Sequence, residues 1–240
     1  MTTLPFTITL TLILLLPFTT SSNTLNTSTI LTTTKTLTSP SLLFQLGFIQ
    51  ITQKPQLYLS IYCNNRPTKT PVWVANRDTP VSDSATLRVK DGGRMVITEK
   101  GQREVWWVGG NWSGDGVVVV ELLDNGNLVI GRNVFDEMPE SERVVLWQSF
   151  DHPGDTLLPG QKLGWDIKSG LDRFLSSWRG GVIRGDGDFM FRVESRGDPE
   201  VFMWSKGGCV QERAVGRDKV EWGAGDEFQQ LGSVQFLVRW

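Results

Sequence analysis

Chemistry in this chain has to come from a few short stretches. In "QSFDHPGDTLLPG" the single histidine, His152, stands close to Asp151 and Asp155, a grouping that could serve acid/base work or hold a metal ion. No second histidine or cysteine pair completes a metal cluster, no serine sits in a G-x-S-x-G turn, and no Gly-rich phosphate loop precedes a helix. Pro153 and Gly154 make the stretch a turn, and Asp186 and Asp188, alternating with glycine, read as turns too. No catalysis and no cofactor are expected. The stretch "LLDNGNLVI" (residues 122–130) carries a different chemistry. It is either a tight turn between two strands or the remains of a sugar-binding site. The plainer reading is that Asn125-Gly126 turns a hairpin whose two central residues both take positive φ.

The elements around these residues are strands. Leu57, Leu59, Ile61 and Cys63 alternate with Tyr58, Ser60 and Tyr62; Leu87 and Val89 alternate with Arg88 and Lys90; Phe189, Phe191 and Val193 alternate with Met190, Arg192 and Glu194. Clusters such as "KDGG", "GNWSGDG", "DNG" and "RGDPE" punctuate them. No amphipathic helix is evident, so the class is all-β.

A repeat sharpens this. Val72-Trp73 recurs at Val105-Trp106, and Met95-Val96-Ile97 recurs at Leu128-Val129-Ile130, each 33 residues on; a third Trp-bearing strand surrounds Trp147. Equal offsets mean copies of one supersecondary unit that bury their apolar faces on each other. Trp73, Trp106 and Trp147 are expected in a shared centre, the alternative being exposed platforms for stacking.

The first residues address the chain for export. No charged side chain precedes Lys35, and the apolar run from Ile8 to Leu16 has the length of a secretory h-region, too short to span a bilayer. Thr20, Ser21 and Ser22 suit cleavage near Ser22; a buried strand or a membrane anchor is the alternative. No later stretch is long enough for a membrane helix. Sequons at Asn26 and Asn111 agree with an extracellular, apoplastic product, and the Thr/Ser-rich stretch from Thr19 to Thr38 offers O-linked sites or a flexible lead-in. With 24 basic against 26 acidic residues and no basic block, nucleic acid and anionic membranes are poor partners. Cys63 and Cys209, the only cysteines, could form a disulfide in such a compartment.

Three stretches then carry a family resemblance. "VWVANRDTPVSDSATLRV" (72–89), "LLDNGNLVI" and "VLWQSFDHPGDTLLPGQKLGWD" (145–166) closely resemble the bulb-type lectin domain of plant S-locus glycoproteins and G-type lectin S-receptor-like kinases, over about Thr36 to Trp178. Residues 170–204 look like the start of an S-locus glycoprotein domain, and the family pattern is lost after about Lys206, as in a truncated or frame-shifted product or a shortened paralogue. The resemblance implies a β-prism of three four-stranded sheets about a pseudo-threefold axis. It divides the chain into a signal peptide (1–22), a Thr/Ser-rich lead-in (23–35), the lectin domain (36–169), a partial S-locus glycoprotein-like segment (170–208) and a divergent tail (209–240). Cys63 stands where the family tends to have an aromatic residue.

Mannose-binding relatives use Q-x-D-x-N-x-V-x-Y. Laid on this chain by "NLV", the five positions fall on Leu123, Asn125, Asn127, Val129 and Gly131, of which Asn127 and Val129 match. Loss of the acidic acceptor removes the charge-assisted bond. The earlier copy, Lys90, Gly92, Arg94, Val96 and Thr98, keeps only the valine. Both read as degenerate sugar sites; Trp107 and Trp112 are unexplained by the repeat. The resemblance implies a secreted, non-catalytic protein of carbohydrate or pollen recognition, with a mannose-type glycan as ligand. The alternative is a protein-interaction module that takes a peptide or a receptor ectodomain, alone or as a dimer.

Overall fold

The computed structural model describes residues 22–66, 68–100, 103–114, 116–132, 144–178, 187–194, 200–205, 208–211, 227–231 and 234–238. Residues 1–21 of the expected signal peptide (1–22) and Asp186 lie outside them. The chain first lays down three short strands, β1 (Thr24–Leu25), β2 (Ile30–Thr32) and β3 (Thr36–Thr38). Nine more follow: β4 (Phe44–Gln50), β5 (Leu57–Cys63), β6 (Pro71–Val74), β7 (Thr86–Lys90), β8 (Arg94–Glu99), β9 (Arg103–Val108), β10 (Val118–Leu122), β11 (Leu128–Arg132) and β12 (Val144–Gln148). They form three four-stranded antiparallel sheets in the orders β3-β4-β5-β6 (sheet I), β2-β7-β8-β9 (sheet II) and β1-β10-β11-β12 (sheet III). This is the expected β-prism. The Thr/Ser-rich stretch is more than a lead-in, because β1 and β2 within it supply the outer strands of sheets III and II, with Leu25 and Leu31 in the core.

The three inner faces share one core, from Leu46, Leu59 and Ile61 of sheet I through Leu87, Met95 and Ile97 of sheet II to Val120, Leu128 and Ile130 of sheet III. The repeated Val-Trp doublet follows from a single device. In each sheet the last strand slips register beside an isoleucine: Ile61 pairs with Trp73, Ile97 with Trp106 and Ile130 with Trp147, and a bulge follows immediately. Strict alternation would send Val72, Val105 and Leu146 outward; the bulge turns both residues of each doublet towards the core, where all six pack. The tryptophans meet as expected, Trp73 lying 6.3 Å from Trp106 and 6.0 Å from Trp147, edge to face, with its indole N–H donating to the His152 carbonyl at 2.9 Å.

Beyond the prism come β13 (Thr156–Leu157), β14 (Gly164–Trp165), β15 (Asp172–Arg173), β16 (Leu175–Ser176), β17 (Phe189–Glu194), β18 (Glu200–Ser205), β19 (Gly208–Gln211), β20 (Glu227–Leu231) and β21 (Val234–Val238). β16 to β19 make a fourth four-stranded sheet, and β21 pairs with β20 and, in parallel, with β13. Cys209 lies in β19, and its pairing with Cys63 falls outside the described side chains.

Candidate ligand groove on sheet III

One residue follows each core tryptophan and points outward: Val74, Trp107 and Gln148, paired with Ser60, Val96 and Val129. The outer faces they mark are equivalent by register, yet their surroundings differ. On sheet I, Tyr58 and Val74 are buried under Ile51 and Trp178. Trp178 is itself clamped: the Arg77 guanidinium lies 4.0 Å over its ring, and its indole N–H donates to the Asp155 carboxylate. Arg77 also donates to Ser176 Oγ at 2.9 Å, so the chain leaving the prism is folded back as a lid on this face. β5 is therefore buried on both sides, Tyr58 and Tyr62 included, rather than half exposed as alternation alone implies.

Sheet II closes with its own side chains. Glu104 accepts from Lys90 at 2.6 Å and pairs with Arg94 at 2.7 Å, while Arg94 stacks 4.6 Å over Trp107. Trp107, 56% exposed, covers Val96, which is fully buried. Trp112 packs on the core with Arg132 5.0 Å over its ring, so it is no free platform, and Asn111 of the sequon beside it is exposed.

Sheet III stays open. A groove of about 520 Å³ runs over it, lined by Leu123, Asn125, Asn127, Val129, Val145 and Gln148 from the sheet and its hairpin, and by Phe150, Asp151, Gly160, Lys162 and Arg173 opposite. The structure thus brings four of the five motif positions into one groove. Gly131, the fifth, pairs with Val145. Lys162, Arg173 and Gln148 were not singled out by the sequence; Gln148 could have been, as the residue after the third repeated tryptophan.

The hairpin differs from expectation. Leu123 N–H donates to the Asn127 carbonyl at 2.9 Å and Gly126 N–H to the Leu123 carbonyl at 3.0 Å, which makes a turn with glycine at its end. Gly126 takes φ 83° and Asn125 does not take positive φ, so the two-residue turn gives way to a three-residue loop, Asp124 to Gly126, closed by a left-handed glycine. A Cβ on Gly126 would also approach Leu158 at 3.0 Å and Phe44 at 3.1 Å. Asn125 Oδ1 accepts from Asn127 N–H at 3.0 Å and so belongs to the turn. Asp124 is anchored by the Ser41 N–H at 2.7 Å; burial pushes its carboxyl up, but the bonds from Ser41 and Ser39 together outweigh it and hold the pKa below its ordinary value.

Asn127 is buried and its carbonyl is consumed: Oδ1 accepts from Ser149 Oγ and from Phe150 N–H, both at 3.1 Å, and Nδ2 donates to Gln148 Oε1 at 2.9 Å. It ties β11 to the turn after β12 and leaves no acceptor for a ligand. Asp151 Oδ1 takes two bonds from Arg173, at 2.7 and 2.6 Å. His152 stacks on Trp147 at 5.5 Å; burial pulls its pKa down, with Asp151 opposing and Arg173 adding to the shift. Burial pushes the Asp155 carboxyl up, against the bonds from Trp178 and Thr156. His152, Asp151 and Asp155 are therefore each held in separate packing roles.

A prism of three four-stranded sheets around a tryptophan centre is the fold of a bulb-type lectin domain. Residues 70–179 match the D-mannose binding lectin family. The chain carries a lectin domain of the kind found in S-locus glycoproteins and receptor-kinase ectodomains. It is 43% identical over 201 residues to a receptor-like serine/threonine-protein kinase of Arabidopsis thaliana, covering 81% of this chain and 23% of that protein. It is 41% identical over 172 residues to an S-locus-specific glycoprotein of Brassica oleracea, covering 71% of this chain and 38% of that protein. The chain spans well under half the length of these relatives. Among solved structures, a monomeric monocot mannose-binding lectin from Gastrodia elata is 23% identical, covering 53% of this chain and 96% of that one, with a TM-score of 0.38.

Proposed function

We propose that the protein is an extracellular, non-catalytic recognition module that binds a saccharide in the sheet III groove, with poor affinity for simple mannose. The observation that carries this is the fate of three equivalent faces: two are filled by the protein's own side chains, and sheet III keeps a groove of about 520 Å³ with polar side chains along it. Poor mannose binding follows from chemistry. A millimolar monosaccharide site holds about 4 kcal/mol, and here apolar Leu123 and Gly131 replace polar motif positions while Asn127 is spent on Ser149, Phe150 and Gln148. Export rests on the apolar run from Ile8 to Leu16 and on the exposed sequon at Asn111. Pollen-type recognition rests on the family resemblance alone.

The test is glycan-array binding by protein secreted under its own first 22 residues and purified from the medium, with free mannose as competitor. Binding that mannose does not displace is the expected result. Mannose-sensitive binding would refute the degenerate-site reading, and retention in the cell would refute export. The second reading, a protein-interaction module pairing with a receptor ectodomain, draws on exposed Trp107 and on Leu42, 57% exposed. A pull-down of such an ectodomain in the absence of any glycan binding would favour it.

A further inference from the structure

The hydrogen-bonding groups left over in the sheet III groove are not balanced. The side-chain amide oxygens of the groove each have a protein partner: Asn127 Oδ1 accepts from Ser149 and Phe150, Gln148 Oε1 from Asn127 and Asn125 Oδ1 from the Asn127 N–H; of the Asp151 carboxylate, Oδ1 accepts twice from Arg173, which leaves Oδ2 as the one side-chain acceptor oxygen among the described lining residues with no bond shown. Glu121, paired across the strand with Val129, is buried, accepts from Asn23 at 3.0 Å and does not line the groove. The donors show the opposite pattern. With their oxygens engaged, Asn125 and Gln148 each offer an amide NH₂, and Lys162 offers three N–H groups from an exposed ammonium. Among the described residues Lys162 has no ion-pair partner, whereas the charge of Arg173 is matched by Asp151 at 2.6 Å and Asp166 at 3.8 Å. The groove lining therefore carries Lys162, Arg173 and Asp151, a net charge of one positive unit (two cations less one anion).

A neutral hexose presents hydroxyls that must both give and take hydrogen bonds, and here it would find donors with few acceptors. A carboxylate takes bonds only, and charge-assisted bonds to it are the strong ones. We infer that the sheet III groove selects an acidic saccharide, a uronate-bearing oligosaccharide whose carboxylate meets Lys162 and whose ring oxygens accept from the Gln148 and Asn125 amides. This rests on the saccharide reading above and gives it a ligand class. Sheet II makes the contrast: its two cations less one anion leave the same single positive unit, but Lys90 and Arg94 both bind Glu104, at 2.6 and 2.7 Å, and Arg94 stacks on Trp107, so neither cation there lacks a partner as Lys162 does.

The test is calorimetric titration of the full secreted chain with trigalacturonate and with the neutral trisaccharide obtained by reducing its carboxyls. Trigalacturonate is expected to bind at least tenfold more tightly, with Lys162→Glu removing that preference and Lys90→Glu, on the closed face, leaving it intact. Lys162 is exposed, so its replacement leaves the fold in place, which a thermal melt checks. Equal binding of both trisaccharides, or a preference that survives Lys162→Glu, would overturn the acidic-saccharide inference while the saccharide reading stands. Binding of neither, with an empty glycan array, would overturn both.

Discussion

Sheets II and III are built alike and used differently. Each has a short N-terminal strand on one side, a hairpin in the middle and a bulged tryptophan strand on the other, and each places a buried valine, Val96 or Val129, at the same point of its outer face. The difference begins with the neighbour of that valine. Trp107, paired with Val96, joins Arg94, Glu104 and Lys90 in a surface network, whereas Gln148 beside Val129 turns its oxygen to Asn127 and lines a groove. A binding face can thus be closed by exchanging outward residues while the inward ones, which hold the prism together, stay unchanged.

The comparison breaks most severely if the shared centre is removed. Trp73→Ala deletes the ring that touches both other tryptophans and its bond to the His152 carbonyl, and should destabilise the domain by about 3–5 kcal/mol in denaturant unfolding. The groove and the closed face should be lost together; survival of either would show that the sheets are independent. Asn127→Ala comes next. It strands the Phe150 N–H and the Ser149 hydroxyl, at about 1–3 kcal/mol for each group left unpaired. An unchanged unfolding curve with abolished ligand binding would assign Asn127 to the ligand instead of the scaffold.

A smaller effect sharpens the contrast from the other side. Glu104→Gln frees Lys90 and Arg94 while leaving the melting midpoint close to that of the parent, and should give sheet II an anion affinity it lacks, detectable by titration with trigalacturonate. No gain would mean that Trp107, and not charge pairing, closes that face. The smallest effect is one of pH. His152 has a folded-state pKa below its ordinary value of 6.5, so on acidification the unfolded chain takes up the proton first. Stability present above about pH 6.5 should fall as pH drops through that value towards the lower folded pKa, and His152→Asn should flatten this part of the melting profile.

The repeat made a repeated unit legible, because a Val-Trp doublet and an apolar triplet at one offset require one; the prism itself came from the family resemblance. The reason for the doublet was not legible: alternation cannot place Val72 and Trp73 on one side, and only the register slip beside Ile61 reconciles them. In the site, Asn125, Asn127 and Val129 were found by laying the motif of the mannose-binding relatives on the chain. Lys162 and Arg173 come from the chain beyond the last prism strand, which has to fold back over sheet III before they face the groove, and no nearby residue signals that return. The engagement of Asn127 was hidden for a similar reason, since its partners Ser149 and Phe150 lie more than twenty positions away.

The pairing of β1 with β10 has a consequence for how the protein is made. Thr24 and Leu25 are among the first residues of the prism to be synthesised, and their partners Glu121 and Val120 follow almost a hundred residues later. During vectorial synthesis the groove-bearing sheet is the last of the three to find its outer strand. Until β10 emerges, β1 is an unpaired strand and a template for joining another chain. Quality control that surveys unfinished sheets would meet sheet III longest, and a mature ligand groove therefore certifies that the earliest and the later parts of the prism have joined.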